Sequence, residues 1–289
     1  MKLTTSNEKL KQIKKAGFIL KPDSPEIKDE YNIIKNHFLR ANIEVALEKN
    51  SANMIGEKGG VELDELSENS DFLVSIGGDG TLISVVRRSF KHHIPVLGIH
   101  QGTLGFLTDI RLSEVENFLA LMFEHKYRID HRMMIKGCAK EQNFVAFNDI
   151  VISRKSMSSM ISLDAKIDGK HFNSYYGDGV IISTPTGSTA YNLSVGGPVV
   201  FPLTEAFIVT PIAPHSLTQR PLVLPADFKI EFTITDNQGA LVIIDGQDTY
   251  EINENESIKI EISDNKAKLI HRCQRNYFEV LNEKLRWGN

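Results

Sequence analysis

The chain has 289 residues, of which 41% are hydrophobic and 24% charged, with a formal net charge of −4. This is long for one core and suits two domains, with the composition of an ordinary soluble globular protein. The weak negative charge gives no electrostatic footing for nucleic acid or an anionic membrane as partner.

In chain order, Lys9-Leu10-Lys11-Gln12-Ile13-Lys14-Lys15 reads as a solvated helix face, and Gly17-Phe18-Ile19-Leu20-Lys21-Pro22 as a strand stopped by proline. Residues 24–40 read as a helix with Ser24 as its cap and Pro25 at its first position. Ile43-Glu44-Val45-Ala46-Leu47 alternates like a strand, and Phe72-Leu73-Val74-Ser75-Ile76 is an apolar run that reads as a buried one. Leu82, Ile83, Val86 and Phe90 then recur at helical spacing, and Pro95-Val96-Leu97-Gly98-Ile99 forms another strand. Strands alternating with helices imply βαβ units and a parallel sheet, in which ligands bind at the carboxyl ends of strands. Two loops are expected at such ends, Gly77-Gly78-Asp79-Gly80-Thr81 and His100-Gln101-Gly102-Thr103-Leu104-Gly105-Phe106.

From about Met133 the pattern changes to short alternating runs: 144–147, 161–167, 228–234, 241–244 and 257–262. Asp168-Gly169, Asn237-Gln238-Gly239 and Asp245-Gly246 supply the turns, so this half reads as a sandwich or layered antiparallel sheet. The last stretch, Tyr277 through Leu281, Leu285 and Trp287, reads as part-helical and packing back on the first domain. The expected organisation is an α/β domain over 1–132, an all-β domain over 133–270 and a C-terminal segment, 271–289, that returns to the first.

Two cysteines, Cys138 and Cys273, make neither a metal motif nor a disulfide scaffold, and a reducing cytoplasm is the expected location. No apolar leader opens the chain, and no stretch reaches the roughly 18 apolar residues of a membrane span. The nine histidines show no metal-type cluster.

Four motifs carry chemistry. In Gly77–Thr81 the glycines clear side chains from a strand-to-helix turn, so backbone N–H groups and the helix dipole can meet phosphate. Asp79 would repel that phosphate unless it serves as a general base towards a hydroxyl or organises a magnesium ion carried on nucleotide phosphates. Asn148-Asp149 interrupts an apolar run. It is either a bulge needing local hydrogen bonds or a pair that reads a base edge and a sugar diol. Residues 176–198 hold five glycines and six Ser/Thr residues around one short apolar strand, a density that implies close backbone approach to a ligand, with Tyr191 placed to stack on a base or ribose. Asp245-Gly246 is explained as a hairpin turn, which leaves Gln247 a weak candidate.

These motifs, in this order, resemble the bacterial NAD kinases. Gly77–Thr81 alone is shared with lipid kinases and phosphofructokinases, whereas Thr184-Pro185-Thr186-Gly187-Ser188-Thr189-Ala190-Tyr191 is far more specific. The match also takes in Leu104-Gly105-Phe106-Leu107, Gly196-Gly197-Pro198, Arg220-Pro221-Leu222-Val223 and Lys284-Leu285-Arg286-Trp287-Gly288. The resemblance implies a Rossmann-like first domain, and a kinase that moves the γ-phosphate of ATP to the 2′-hydroxyl of the adenosine ribose of NAD, giving NADP. It implies Asp79 as the base, Gly77, Gly78, Gly80 and Thr81 around the ATP phosphates, and Mg2+ or another divalent cation carried with ATP rather than by a protein cluster. Asp79, Gly80, Asn148, Asp149, Asp178, Thr189, Ala190, Tyr191, Ser194 and Gln247 would contact NAD. It also implies a homo-oligomer, dimer or tetramer, with sites near subunit contacts. His100 stands where the family commonly has Asn, and Asp149 where it more often has Glu. The rivals are a lipid kinase, which would want a membrane-facing patch that the sequence lacks, and a non-catalytic dinucleotide-binding regulator, which would not need Asp79.

Overall fold

The structure, a computed structural model, describes residues 8–102, 105–156 and 158–286. Thr103, Leu104, Trp287 and Gly288, all used in the sequence reading, lie outside the described residues. Two compact units divide the chain, one of residues 1–131 and 267–289, the other of 132–266. The first opens with β1 (Lys15–Leu20), α1 (Lys28–Arg40), β2 (Glu44–Leu47), α2 (Lys49–Ile55), α3 (Leu63–Glu68), β3 (Phe72–Ile76) and α4 (Asp79–Ser89). It continues with β4 (Val96–His100), β5 (Ile110–Arg111), α5 (Val115–Phe123) and β6 (Tyr127–Arg132). The second holds β7 (Ile135–Ala139), β8 (Gln142–Ala146), β9 (Asp149–Arg154), β10 (Ile161–Ile167), β11 (Lys170–Gly177) and β12 (Gly179–Ser183). After these come α6 (Tyr191–Ser194), β13 (Ala206–Ile212), β14 (Leu222–Pro225), β15 (Ile230–Ile234), β16 (Ala240–Ile244), β17 (Asp248–Ile252) and β18 (Ser257–Ile262). The chain then returns to the first unit as β19 (Ala267–Arg272) and α7 (Tyr277–Leu285).

In the first unit the described strands run in the order β2-β1-β3-β4-β19-β6, with β5 on β4. The pairs β1–β2, β1–β3, β3–β4 and β4–β19 are parallel. The chain moves to one side of β1 for β2 and to the other for β3. The loops after β1 and β3 therefore flank the switch-point crevice where α/β sheets hold ligands. The sheet is anchored by aromatic packing: Phe18 of β1 meets Phe38 of α1 edge-on at 4.9 Å between ring centroids. Tyr31, Ile34 and Phe38 are the buried stripe of α1, at the i, i+3, i+7 spacing of a helix face.

Three local expectations change. Pro25–Ile27 is a 3-10 turn and α1 starts at Lys28; the Ser24 hydroxyl turns back to the Pro22 carbonyl at 3.2 Å instead of capping. Residues 9–14 are not helical, because Tyr127 holds them: the Leu10 N–H donates to its hydroxyl at 2.7 Å and the Lys9 ammonium to its carbonyl. The return begins at Ala267, as a strand whose Leu269 and Ile270 register with Val96 and Leu97 of β4.

The second unit is two antiparallel sheets, ordered β11-β10-β15-β18-β7-β8 and β14-β13-β12-β9-β16-β17 among the described residues. Alternate residues of both sheets, among them Phe144, Ile152, Leu163, Val180, Phe207 and Phe232, share one core. The central strands of the second sheet are buried on their other face as well, where Val151, Ile181 and Ile212 pack with Val195. This covering places residues 184–200 against the sheet, which is what positions the candidate site. Among the described residues no helix is long and apolar enough to cross a membrane.

Candidate active site

In the first unit, β3 runs buried into Gly77, and α4 begins at Asp79 with Gly78 as its cap residue. A Cβ on Gly77 would lie 2.5 Å from the Thr81 hydroxyl and 3.1 Å from the Lys21 Cβ, so only glycine allows this closure. Gly78 and Gly80 face open space instead, and both are exposed. The turn is thus packed on its inner side and bare on its outer side, at the positive end of an 11-residue helix.

The Asp79 carboxylate is fixed by the loop after β4. Its Oδ2 accepts from the Phe106 N–H at 2.7 Å. Its Oδ1 accepts from the N–H groups of Leu107 at 3.2 Å and Thr108 at 3.0 Å, and from the Thr108 hydroxyl at 3.1 Å. Gly105 makes room for this, since a Cβ there would sit 2.0 Å from Oδ1. These donors orient the group and leave Oδ2 with acceptor capacity to spare.

His100 ends β4 with both ring nitrogens buried and without hydrogen-bond partners among the described residues. Burial, then the Arg111 guanidinium, lowers its pKa and keeps the ring neutral. It lines a concavity of about 450 Å³ with Glu30, His37, Gln101 and Arg111.

In the second unit, Asn148 and Asp149 are clamped between two turns. From one side the Thr184 N–H donates to the Asn148 carbonyl at 2.8 Å, and the Thr184 hydroxyl donates to the Phe147 carbonyl at 2.7 Å. Gly187 packs so closely that a Cβ would lie 2.2 Å from the Asn148 carbonyl oxygen. From the other side the Asp245 carboxylate accepts the N–H groups of Phe147, Asn148 and Asp149 at 2.8, 2.7 and 2.9 Å. The clamp fixes the backbone and leaves side chains for a ligand. Asn148 Oδ1 is buried and unpartnered among the described residues, an acceptor that wants an incoming N–H or O–H. Burial, then the charge of Asp245, raises the Asp149 carboxyl to about 7.

Much of the hydroxyl density of 183–188 serves this scaffold. Ser183 and Ser188 donate to backbone carbonyls, as Thr184 does, and the buried Asn192 ties Ser188, Pro198 and Thr210 together. Thr189 and Ala190 are half-buried, whereas Tyr191 and Ser194 are exposed. Gln247 follows the Asp245-Gly246 turn, at the same end of the sheet as Asn148. Asp178 does not join them within one chain. It precedes β12 while Thr184 follows it, which separates the two by about 20 Å of strand. There Asp178 pairs with Arg154 at 3.1 Å.

The sequence reading missed three participants. Asp245, taken for a turn residue, is the acceptor that shapes 147–149. Its φ of 49° and the 66° of Gly246 are those of the expected tight hairpin, so the turn concealed a second role. Phe106 and Leu107 carry no polar signal because they hold Asp79 by backbone N–H groups, and Thr108 adds its hydroxyl to its own N–H. Lys21 was read as the end of a strand, and the fold puts it against Gly77. Among the described residues, no three His, Cys, Asp or Glu side chains are grouped to hold a metal ion.

Comparison with known proteins follows the same division. Residues 16–127 match the family model of the ATP-NAD kinase N-terminal domain, and residues 147–272 that of the ATP-NAD kinase C-terminal domain. The chain is 50% identical over 282 residues to the NAD kinase of Sulfurimonas denitrificans, covering 96% of this chain and 99% of that one. It is 46% identical over 284 residues to the NAD kinase of Wolinella succinogenes, covering 97% and 98%. Among solved structures, yeast NADH kinase complexed with NADH superposes with a TM-score of 0.87 at 26% identity, covering 96% of this chain and 89% of that one. An NAD kinase from Archaeoglobus fulgidus in complex with ATP gives 0.76 at 29% identity, covering 94% and 98%.

Proposed function

The chain belongs to the ATP-NAD kinase family, and from that membership we propose how its residues divide the work of phosphorylating NAD to NADP at the expense of ATP. Asp79 is the base that takes the proton of the 2′-hydroxyl of the adenosine ribose as the oxygen attacks phosphorus. The observation that carries this is its carboxylate, fixed by four donors at the mouth of the glycine turn. Such a group is aimed without reorganisation. Of the two roles open to it, organising a metal fits less well, because three donors already occupy Oδ1.

The first turn of α4, with Gly77, Gly78, Gly80 and Thr81, receives the phosphates. A divalent cation, Mg2+ being the natural one, neutralises phosphate charge while it rides on ATP and its own waters. The residues present fit this mode, since three donors already occupy Oδ1 of Asp79 and the room left on Oδ2 is the room the ribose hydroxyl needs. In the second unit Asn148 and Asp149 take the adenosine half of NAD, with Thr189, Ala190, Tyr191, Ser194 and Gln247 around it. A carboxyl near neutrality at Asp149 can accept from a diol when ionised and donate when protonated.

Asp178 completes an NAD site from a second copy of the chain in a dimer or tetramer. Exposed Tyr176, Leu217, Leu222 and Val223 support association through the β14 edge. Sedimentation at working concentration checks this, and a monomer with full activity would refute it. With ATP and NAD as substrates and both cysteines free, the cytoplasm is the proposed location.

The test of the base is Asp79→Asn. Turnover should fall on the order of 10²–10⁴-fold while NAD binding, followed by calorimetry, stays near the wild-type value. Wild-type turnover with binding intact would remove Asp79 from the role.

A further inference from the structure

We propose that Arg275 is a positioning residue for phosphoryl transfer, holding residues 106–108 in the shape that aims the Asp79 carboxylate. The proposal rests on the reading of Asp79 as the base. Arg275 follows β19, far from Asp79 in sequence, and its side chain is only 6% exposed. Its guanidinium donates from Nη1 to the Leu107 carbonyl at 3.1 Å and from Nη2 to the Phe106 carbonyl. The N–H groups of these same two residues donate to Asp79. Each residue is therefore gripped twice, its carbonyl by Arg275 and its N–H by the base.

The grip is backed by the sheet. Nη1 of Arg275 lies 3.4 Å from Oδ2 of Asp109, which is buried at the end of the same loop. His271 Nδ1 stands 3.4 Å from that oxygen, and the Arg272 N–H donates to it at 3.3 Å. Both residues belong to β19, which pairs with β4. Burial works against ionisation of Asp109, yet His271, Arg275 and the Arg272 N–H together hold it at about 2. The anchor is thus charged at any working pH. A path of direct contacts runs from β19 through Arg275 and residues 106–107 to Asp79, all within one unit. Two carbonyls that lost the guanidinium would be left seeking donors, and the peptides would turn to find them. Rotation of those peptides swings the N–H groups that orient the base, and a displacement near 1 Å at a reacting group costs about 10² in rate.

The experiment compares full-length wild type, Arg275→Ala, Arg275→Lys, Asp79→Asn and the double variant, measuring kcat, the NAD dissociation constant by calorimetry, and rescue by added guanidinium. Arg275→Ala should lower kcat by about 10–100-fold with NAD affinity within about threefold of wild type. Guanidinium, below denaturing concentration, should restore about tenfold of that loss and leave wild type and Asp79→Asn unchanged. Arg275→Lys keeps the charge and the fold but cannot bridge two carbonyls and a carboxylate, so its kcat should also fall. In the Asp79→Asn background Arg275→Ala should cost little more, because there is no base left to aim. A folded Arg275→Ala or Arg275→Lys with wild-type kcat overturns the proposal. So does a loss that guanidinium leaves untouched, or an equal loss in the Asp79→Asn background. Wild-type turnover by Asp79→Asn would instead refute the base itself, whatever Arg275 does.

Discussion

Gly105→Ala tests whether turnover depends on where the Asp79 carboxylate sits. A Cβ at residue 105 would lie 2.0 Å from Oδ1, 2.4 Å from Cγ and 2.6 Å from Oδ2 of Asp79. The added methyl therefore meets the whole carboxyl rather than one flexible tip. Ordinary contact needs about 3.5 Å, so the loop and the carboxylate must part by roughly 1.5 Å. Either the side chain swings away from its four donors or residues 105–108 lift off it. Displacement on this scale should cost about 10² in kcat, or about 2.7 kcal/mol of activation free energy. Charged hydrogen bonds are lost as well, worth roughly 1.5–3 kcal/mol each but not additive, so the melting temperature should drop by several degrees. Initial rates of NADP formation, coupled to an NADP-specific dehydrogenase, read the first effect, and NAD calorimetry shows whether substrate binding survives. A folded Gly105→Ala enzyme turning over within about threefold of wild type would show that the placement of this carboxylate does not limit the reaction.

Two further outcomes concern the second unit. The folded Asp149 carboxyl titrates near 7 against 3.8 for an ordinary aspartate. Between these values the folded protein holds a proton that the unfolded chain has released. Stability should therefore fall as pH rises from about 4 to about 7, by at most about 4 kcal/mol, and the slope should end above that window. Asp149→Asn should flatten this part of a denaturant-derived stability profile; an unchanged profile would mean that the carboxyl titrates normally. Asp245→Ala removes the acceptor of three backbone N–H groups and should cost about 2–4 kcal/mol in urea unfolding and weaken NAD binding. It also removes a negative charge beside Asp149, so the same pH slope should shrink. A stability within about 0.5 kcal/mol of wild type would show that water replaces the carboxylate.

The elements most legible in the sequence were those whose signal is local. β10 and β18 fall where alternation puts them, over Ile161–Ile167 and Ser257–Ile262, because a two-sheet sandwich buries every second residue. β3, the glycine turn and α4 were readable together, since an apolar run, small residues and a helical stripe succeed one another. β13 was not, because burial on both faces erases alternation along Ala206–Ile212. Nor was the membership of β19: six residues, Ala267–Arg272, carry no mark of which sheet they enter.

The sequence by itself determined the two-part grammar of the chain, the phosphate turn with its one carboxylate, and the family to which the ordered motifs belong. These depend on residue type and short spacing, which survive without coordinates. Only the tertiary structure decided that Asp79 is gripped by the backbone of 106–108, that Asp245 shapes 147–149, and that Asp178 stands at the far end of β12. Each of those relations joins residues distant along the chain, mostly through peptide N–H and carbonyl groups. Every residue but proline carries both, so they leave no trace in the order of side chains.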